Sequence, residues 1–246
     1  MTLGDRVRNV VRKFMPMEEA VETRRISREL LWADVFNSTI ADSRWLTDRG
    51  FSPGRWAVGY AYLYALYRIL NELKPRRILD IGLGQTSRLI AQYAASDPSV
   101  EHVIVESSDE WIGFFRRGFA LPENSRIVRM NTAFEPFREA DRVRVYEGFK
   151  EKFADGAFDL VSVDGPFSAD MARYARIDLL KILPQGLAAN FAVLFDDVHL
   201  RQNAVIAEAC ERALTTAGIA CGSAIYRGEK DLAVISSDSW RFLRTL

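Results

Sequence analysis

The sequence predicts an α/β protein with a doubly wound, mostly parallel sheet and a helical extension at its N-terminus. Three observations support this fold class. From Lys74 onward, short apolar runs alternate with helical patterns, which is typical of a parallel sheet covered by helices on both faces. The first apolar run ends in a glycine turn that opens a helix. The last two apolar runs, joined through Gly228, predict an antiparallel pair that closes the sheet.

Apolar runs bounded by glycine or charged residues are predicted as strands. They cover residues 77–81, 102–106, 126–130, 158–163, 192–195, 222–226 and 232–236. Apolar residues at spacings of three and four predict the helices that connect these strands. The helices cover residues 85–96, 109–119, 171–183 and 202–217. The charged segment from residue 131 to residue 155 carries no pattern that assigns it.

Residues 1–74 are predicted as the helical extension or lid, and residues 75–246 as the domain that contains the sheet. A basic amphipathic helix is predicted to end at Pro16, and further helices follow over 26–40 and 55–73, the last after a break at residues 52–54. The first helix carries these apolar residues at helical spacing: Val7, Val10, Val11 and Phe14. It either packs on the domain or a neighbouring subunit, which would form a homodimer, or lies on a membrane surface.

The composition is that of a globular protein and excludes several functional classes. The chain has 246 residues, of which 48% are hydrophobic, so there is ample apolar side chain to form a core. Lys and Arg total 33, as do Asp and Glu, so the basic excess typical of nucleic-acid binding is absent and no nucleic-acid partner is predicted. Two cysteines, Cys210 and Cys221, favour free thiols. No secretory signal or membrane-spanning run is seen, which predicts a cytoplasmic protein.

Glycines at positions 82 and 84 follow the first predicted strand. Without a Cβ atom, they allow the backbone to approach a ligand closely. Glu106 ends the next strand, 22 residues beyond Gly84, where a carboxylate can accept hydrogen bonds from two ribose hydroxyls. The turn and the acidic strand end together predict a nucleoside-cofactor site at the carboxyl edge of the sheet. NAD is disfavoured because its pyrophosphate usually requires a third glycine, and Ser87 stands there.

The motif Asp80-x-Gly82-x-Gly84 resembles the Asp/Glu-x-Gly-x-Gly signature of class I S-adenosylmethionine-dependent methyltransferases, and the closing pair of strands resembles their fold. The resemblance covers residues 75–236. It implies a Rossmann-like methyltransferase sheet of seven strands and S-adenosylmethionine as the cofactor of the 75–246 domain. The cofactor-binding residues that it implies are Asp80, Gly82, Gly84, Thr86, Ser87, Glu106, Asn131 and Asp164. Asn131 is the candidate for the adenine, with Tyr146 as the alternative.

Two later strands end in carboxylates, Asp164 on one and Asp196 with Asp197 on the other. In the methyltransferase strand order these strands are neighbours, about 4.8 Å apart. Like charges at that distance raise each other's pKa unless a cation lies between them, and hard oxygen ligands suit Mg²⁺, Mn²⁺ or Ca²⁺. The pattern is similar to that of metal-dependent O-methyltransferases of the catechol type and of bacterial families that methylate sugars or macrolide sugars. It implies that the three carboxylates hold Mg²⁺ or Mn²⁺. The alternative is that Asp196 caps a helix and Asp164 begins a turn.

His199 follows Asp197 by two residues. An imidazole with a pKa near about 6.5 accepts a proton at neutral pH better than a solvated aspartate does. We therefore predict His199, with Asp164 and Asp197, as the catalytic residues of an O-methyltransferase. A hydroxyl of a sugar, a glycan or a related small molecule is the predicted acceptor, since an alcohol needs such activation. The alternatives are a non-catalytic or regulatory protein of this fold and, third, an NAD-dependent oxidoreductase.

Overall fold

The computed structural model describes residues 3–51 and 56–246, with side chains described from Glu19 onward. The strands of the described chain are β1 Arg77–Ile81, β2 Glu101–Glu106, β3 Ser125–Arg129, β4 Thr132–Phe137, β5 Ala140–Tyr146, β6 Phe158–Val163, β7 Leu187–Phe195, β8 Cys221–Tyr226 and β9 Leu232–Ser237. Seven of them form one sheet in the order β3-β2-β1-β6-β7-β9-β8, and β4 and β5 form a separate hairpin. Within this sheet β3, β2, β1, β6 and β7 run parallel, whereas β9 pairs antiparallel with β7 and β8. This is the doubly wound, mostly parallel sheet of seven strands that the sequence predicts.

Helices cover both faces of the sheet. The α-helices of the described chain are α1 Leu3–Thr39, α2 Tyr60–Arg68, α3 Gln85–Ser96, α4 Asp109–Gly118, α5 Phe149–Phe153 and α6 Arg201–Thr216. A π-helical turn, Ile69–Leu73, extends α2, and short 3₁₀ helices cover Ile177–Lys181 and Asp238–Arg244. Among the described residues, no helix combines the length and the hydrophobicity that crossing a bilayer requires. Cys210 and Cys221 are free thiols, as predicted.

The order of the strands places a crevice at the carboxyl ends of β1 and β6. Ile81 pairs with Val105 of β2 on one side and with Val163 of β6 on the other. The chain fills the sheet outward from β1 through β2 to β3, and then returns to the opposite side of β1 with β6. Ligands of doubly wound sheets bind where the strand order reverses in this way.

The alternation of side chains along β6 builds the two layers of the core. Leu160 packs on the face that is covered by α1, α2 and α3. Val161 and Val163 point to the opposite face and pack with the β4–β5 hairpin, α5 and α6. Successive residues of a strand point to opposite faces, so one apolar run serves both layers. Ser162, on the α2 side, is fully buried and accepts a hydrogen bond of 2.9 Å from the hydroxyl of Tyr62.

The hydrophobic core crosses the predicted boundary at residue 74. The α2 helix buries Tyr62, Leu63 and Leu66 against the same face of the sheet as Ile78 of β1. The predicted start of α2 at residue 55 lies outside the described residues, and in the described chain the helix begins at Tyr60. The first N–H group of the helix, that of Tyr60, donates a 2.6 Å hydrogen bond to a carboxylate oxygen of Glu29 on α1. The helix therefore packs on the sheet that the following residues form, and the division of the chain at residue 74 stays a prediction.

The long α1 helix differs from the sequence prediction. It runs from Leu3 to Thr39, so the predicted end at Pro16 is wrong and the predicted helix over 26–40 is its second half. A proline inside a helix removes one N–H donor and costs about 3 kcal/mol, which the helix-forming residues on both sides can offset. The predicted apolar face of Val7, Val10, Val11 and Phe14 lies outside the described side chains, and the predicted break at residues 52–54 lies outside the described backbone.

The seven predicted strands of the sheet are confirmed; six of them differ by at most one residue at either end, whereas β7 begins at Leu187, five residues before its predicted start. The segment that carried no sequence assignment forms the β4–β5 hairpin and α5. The predicted helix over 171–183 is wrong, since the described backbone contains only the 3₁₀ helix Ile177–Lys181 there. The physical reason is Arg176, which adopts a left-handed backbone conformation with φ 60° and ψ 40°. An α-helix of L-residues cannot continue through such a residue.

Asp178, just after this left-handed residue, ties the 3₁₀ helix to the hairpin. One of its carboxylate oxygens accepts a 2.9 Å hydrogen bond from the backbone N–H of Tyr146, and the other is buried without a partner in the described chain. Burial raises the pKa of Asp178 from 3.8 to about 7, although the Tyr146 N–H and Lys181 oppose this shift. At pH values between 3.8 and about 7, Asp178 is ionised in the unfolded chain but keeps its proton in the folded protein. The contribution of this group to stability is therefore complete below pH 4 and is lost as the pH rises through 7.

We expect Asp178→Asn to stabilise the protein at pH 8 by about 1–3 kcal/mol and to have a smaller effect at pH 5. The amide keeps an oxygen for the Tyr146 N–H and cannot ionise. Urea unfolding at the two pH values measures the difference. Asp141→Asn, at an exposed site of the same hairpin, is the matched control. A stability change of equal size at both pH values would show that ionisation of Asp178 has no part in it.

Candidate functional site

The two glycines of the β1 turn have different roles. Gly82 has a φ of +112°, and a Cβ atom there would lie 3.0 Å from the backbone carbonyl of Asp164. Its N–H donates a 2.9 Å hydrogen bond to the carbonyl of Val105. Gly84 has an extended φ of −172°, and a Cβ atom there would meet no atom within 4 Å. Gly82 is therefore needed for the close approach of β1 to the loop after β6, whereas Gly84 leaves open space in front of the turn.

Asp80 and Ser87, both predicted as cofactor ligands, support the turn from behind. Both side chains are fully buried. The hydroxyl of Ser87 donates a 2.5 Å hydrogen bond to Asp80 and accepts one of 3.0 Å from the N–H of Gly84. Thr86 donates a longer bond of 3.4 Å to the other oxygen of Asp80. The acidic residue of the motif thus fixes the first turn of α3, and with it the shape of the glycine turn.

A cavity of about 1120 Å³ opens at the carboxyl ends of β1, β2 and β6. Seven of the predicted site residues line it: Gly82, Gly84, Thr86, Glu106, Asp164, Asp197 and His199. Asp80, Ser87, Asn131 and Asp196 are not part of its wall. The structure therefore brings most of the predicted residues to one cavity.

Glu106 stands at the edge of this cavity, next to the glycine turn. One of its oxygens accepts hydrogen bonds from the N–H groups of Ser107 and Ser108, at 2.6 and 2.8 Å. The other oxygen has a weaker contact of 3.3 Å with the N–H of Leu83. The first oxygen also accepts a 3.3 Å bond from the hydroxyl of Ser107, so it is the oxygen facing Leu83 that keeps acceptor capacity for a ligand.

The two candidates for an adenine contact lie in different places. Asn131 lies in a separate depression of about 440 Å³ and accepts a hydrogen bond from Arg129. Tyr146, the alternative that the sequence offers, lines the large cavity. Burial raises the pKa of Tyr146 further above neutrality, so its phenol keeps its proton. The structure thus places Tyr146, and not Asn131, in the wall that contains Glu106.

Aromatic rings form the mouth of the cavity. The rings of Trp111 and Phe114 stack with centroids 5.1 Å apart, and the indole N–H of Trp111 donates a 2.5 Å hydrogen bond to the carbonyl of Leu83. Phe167 packs against Trp56, with ring centroids 5.8 Å apart. Trp111, Phe114 and Phe167 remain 42%, 57% and 55% exposed. Exposed aromatic surface at a cavity mouth is typical of a ligand-binding site.

The three predicted carboxylates come together at the ends of β6 and β7. These strands are hydrogen-bonded neighbours, and Val163 pairs with Phe195 at their last register position. Oxygen atoms of Asp164, Asp196 and Asp197 lie within 4.8 Å of one another. Burial and the other two carboxylates raise the pKa of Asp196 well above its usual value. Burial also raises the pKa of Asp164 to about 6, although a neighbouring arginine opposes this.

That arginine is Arg176, which the sequence analysis does not identify. One nitrogen of its guanidinium, Nη2, donates hydrogen bonds of 2.9 Å to Asp164 and 3.1 Å to Asp197. The other, Nη1, donates a 2.9 Å bond to the backbone carbonyl of Asp196. Lys230 adds a second cation, with its Nζ 3.8 Å from an oxygen of Asp197. The sequence offers only an indirect indication of this role: three clustered carboxylates need a cation nearby, and Arg176 lies in the segment between β6 and β7.

The predicted divalent ion can be tested against these contacts. A metal ion would have to bind the carboxylate oxygens directly. Asp164 and Asp197 already accept hydrogen bonds from one guanidinium nitrogen, and the guanidinium is only 5% exposed. An ion that bound the two oxygens held by Arg176 would therefore have to displace the guanidinium. The donor set as folded does not fit a resident divalent ion, although its three carboxylates do converge.

His199 lies in the cavity wall beside the acidic cluster. Its Nδ1 accepts a 3.4 Å hydrogen bond from the backbone N–H of Asp231. In the neutral ring the proton is then on Nε2, which acts as a donor. Burial lowers the pKa of His199, which Asp197 opposes. This arrangement suits holding an oxygen atom better than removing a proton.

A scan against protein-family models finds no match, and a search of the curated proteins finds none. Solved structures are similar to this chain at low sequence identity. A protein from Staphylococcus aureus considered to be a caffeoyl-CoA O-methyltransferase is 16% identical, with a TM-score of 0.48 over 83% of this chain and 91% of that chain. A methyltransferase from Podospora anserina, solved with S-adenosylhomocysteine, is 18% identical, with a TM-score of 0.45 over 92% and 96% of the two chains. A precorrin-6y C5,15-methyltransferase from Geobacter metallireducens is 13% identical, with a TM-score of 0.46 over 77% and 94%.

Proposed function

We propose that this protein transfers the methyl group of S-adenosylmethionine to a hydroxyl oxygen of a small-molecule acceptor. One observation carries the proposal: the glycine turn with Glu106 lines the same cavity as Asp164, Asp197 and His199. The first group is suited to a nucleoside, and the second to a hydroxyl that loses its proton. Methyl transfer needs both, held in line with each other.

The cofactor half of the cavity is built for a nucleoside without a pyrophosphate. Glu106 would accept hydrogen bonds from the ribose hydroxyls, and the open space in front of Gly84 would admit the ligand close to the backbone. Tyr146 offers a ring and a hydroxyl donor in the same wall. When bound, S-adenosylmethionine supplies an electrophilic methyl group that passes to the acceptor oxygen and leaves S-adenosylhomocysteine.

We assign the proton transfer to Asp164. One of its oxygens is held by Arg176, and the other accepts no hydrogen bond from the described residues, so it can receive the acceptor's hydroxyl proton. His199 would donate a hydrogen bond from Nε2 to the acceptor and so position it. Asp197, held by Arg176 and close to Lys230, keeps the charge of the site balanced. The prediction that His199 is the base remains the alternative, and it would require the ring to release the Asp231 N–H.

A sugar, a glycan or a related small molecule remains our preferred acceptor class. The exposed rings of Trp111, Phe114 and Phe167 offer flat apolar surfaces, which suit the faces of sugar rings as well as aromatic rings. An alcohol needs a base in the site, and the acidic cluster supplies one. Catechols are the second choice, because they would need the base less. Methylation assays with panels of sugars, sugar nucleotides and catechols distinguish the two classes.

Two other functions are separated by binding experiments. A non-catalytic protein of this fold would bind the nucleoside but form no S-adenosylhomocysteine with any acceptor. An NAD-dependent oxidoreductase would need its pyrophosphate at the start of α3, where Ser87 is buried and bonded to Asp80. Isothermal titration with S-adenosylmethionine, S-adenosylhomocysteine and NAD is the direct test. We expect the first two to bind and NAD not to bind; binding of NAD alone would overturn the proposal.

We expect Glu106→Ala to weaken S-adenosylmethionine binding by about 10–150-fold. This corresponds to about 1.5–3 kcal/mol, the range for hydrogen bonds to a charged group. Isothermal titration measures the change, and thermal melting checks that the Ser107 and Ser108 turn survives. Glu101→Ala, at the opposite end of the same strand, is the matched control. Unchanged affinity in a folded Glu106→Ala variant would remove this residue from the proposed site.

The assembly and location of the protein remain predictions. Leu30 and Leu31 on α1 are 67% and 61% exposed, which favours a contact with another subunit over a solvated helix. Sedimentation of the full chain tests the predicted homodimer. Contact of the N-terminal helix with a membrane surface and a cytoplasmic location stay as the sequence predicts them.

A further inference from the structure

The guanidinium of Arg176 occupies the centre of the acidic cluster. It bridges Asp164 and Asp197 through one nitrogen and reaches the backbone of Asp196 through the other. Its left-handed backbone and its burial show that the fold directs this side chain inward. Burial and three hydrogen bonds hold this guanidinium in one position, whereas the ion pairs of a surface arginine form and break in solvent.

Two cations of the chain lie against the carboxylates of the cluster. Asp164 and Asp197 are each within hydrogen-bond or ion-pair distance of a cation, Arg176 for both and Lys230 for the second. Asp196 is the remaining acid, and one of its oxygens is buried with no partner in the described chain. Two cations of the chain therefore already pair with two of the three carboxylates.

We infer that Arg176 is the resident cation of this site, in the place that a divalent ion would take, and that it excludes Mg²⁺ and Mn²⁺ from the three carboxylates. The inference concerns ion binding and holds whether or not the protein transfers methyl groups. A guanidinium donates hydrogen bonds but cannot coordinate an oxygen as a Lewis acid. It therefore positions Asp164 and Asp197, and removal of a hydroxyl proton falls to a side chain.

The inference predicts that removing the guanidinium opens a metal site. In Arg176→Ser, three carboxylates within 4.8 Å of one another would lack their central cation. We expect this variant to bind Mn²⁺ at least about tenfold more tightly than the unchanged protein, and its thermal midpoint to rise when Mn²⁺ is added. Arg176→Lys keeps a positive charge and should gain much less. Arg173→Ser, an exposed site three residues earlier, should gain nothing.

The experiment is a Mn²⁺ titration of the full chain, followed by electron paramagnetic resonance of the free ion. The unchanged protein should leave the free Mn²⁺ signal undiminished at micromolar concentrations. If it binds Mn²⁺, and Asp164→Asn combined with Asp197→Asn removes that binding, Arg176 does not exclude the ion and the inference is overturned. Binding that the double variant keeps lies elsewhere and supports the inference.

The outcome does not depend on one variant's folding. If Arg176→Ser folds and gains no Mn²⁺ affinity, the cluster is no latent ion site and the inference is overturned. If it does not fold, the titrations of the unchanged protein and the double variant decide the question alone. Failure of the proposed methyl transfer would appear instead in the titrations with S-adenosylmethionine, which use no metal.

Discussion

Asp164→Asn should lower the turnover number by about 10²–10⁴-fold, the usual contribution of a general base. The amide keeps an oxygen for Arg176 and nearly the same shape, but it cannot accept the proton. Affinity for S-adenosylmethionine should change much less, because Glu106 and the glycine turn remain. The measurement is S-adenosylhomocysteine formed with an acceptor that the panels identify. Asp170→Asn, on the same loop and outside the cavity wall, is the control and should be fully active.

His199→Ala separates the two candidates for the base. A hydrogen bond from His199 to the acceptor would contribute about 0.5–1.5 kcal/mol to binding of the transition state. Its removal should therefore lower kcat/KM by about 2–13-fold. A loss for His199→Ala larger than that for Asp164→Asn would reverse the two roles. His199 would then be the base, as the sequence predicts, and Asp164 would position it.

Gly82→Ala should abolish measurable S-adenosylmethionine binding and destabilise the protein by about 1–3 kcal/mol. The backbone at φ +112° strains any residue with a Cβ atom, and that atom would lie 3.0 Å from the Asp164 carbonyl. The turn must therefore move away from β6, which distorts both halves of the cavity. Urea unfolding and isothermal titration measure the two effects.

Gly84→Ala is the matched control for this glycine. Its extended backbone accepts any residue, and the added methyl group would meet no atom within 4 Å. We expect its stability to stay within about 0.5 kcal/mol of the unchanged protein. Its affinity for the nucleoside should still fall, because the methyl group projects into the space that the ligand would use. Equal loss of stability in both variants would contradict the distinction between the two glycines.

The strands of the sheet could be predicted because each is an apolar run closed by glycine or a charged residue. The β4–β5 hairpin is not predicted, although Val143 and Val145 alternate with Arg142 and Arg144 in the two-residue period of a half-buried strand, because the alternation covers only these four residues. The predicted helix over 171–183 is wrong because the spacing of its apolar residues does not reveal the left-handed backbone of Arg176. Several of these apolar residues pack in the same layer of the core as the hairpin, so tertiary contacts decide the local structure.

The sequence predicts which residues form the candidate site better than it predicts what their side chains contact. The carboxylates at the ends of β6 and β7 follow from the strand pattern, because parallel neighbours end at one edge. A sequence motif does not show whether a side chain points toward the ligand or into the protein. Asp80 and Ser87 are therefore predicted as cofactor-binding residues, although both side chains are buried in the interior. Arg176 comes from a loop, and its place depends on a backbone conformation that is rare outside glycine.

The carboxylate of Glu29 joins three distant parts of the chain. It accepts the N–H of Tyr60 at the start of α2 and the N–H of Glu229 in the turn between β8 and β9. The next residue, Lys230, donates to the carbonyl of Ala57, and both of these residues line the cavity. The N-terminal helix is thus connected by hydrogen bonds to two segments of the cavity wall, one of which carries Lys230 beside Asp197. The position of α1 therefore bears on the geometry of a cavity that its described residues do not line.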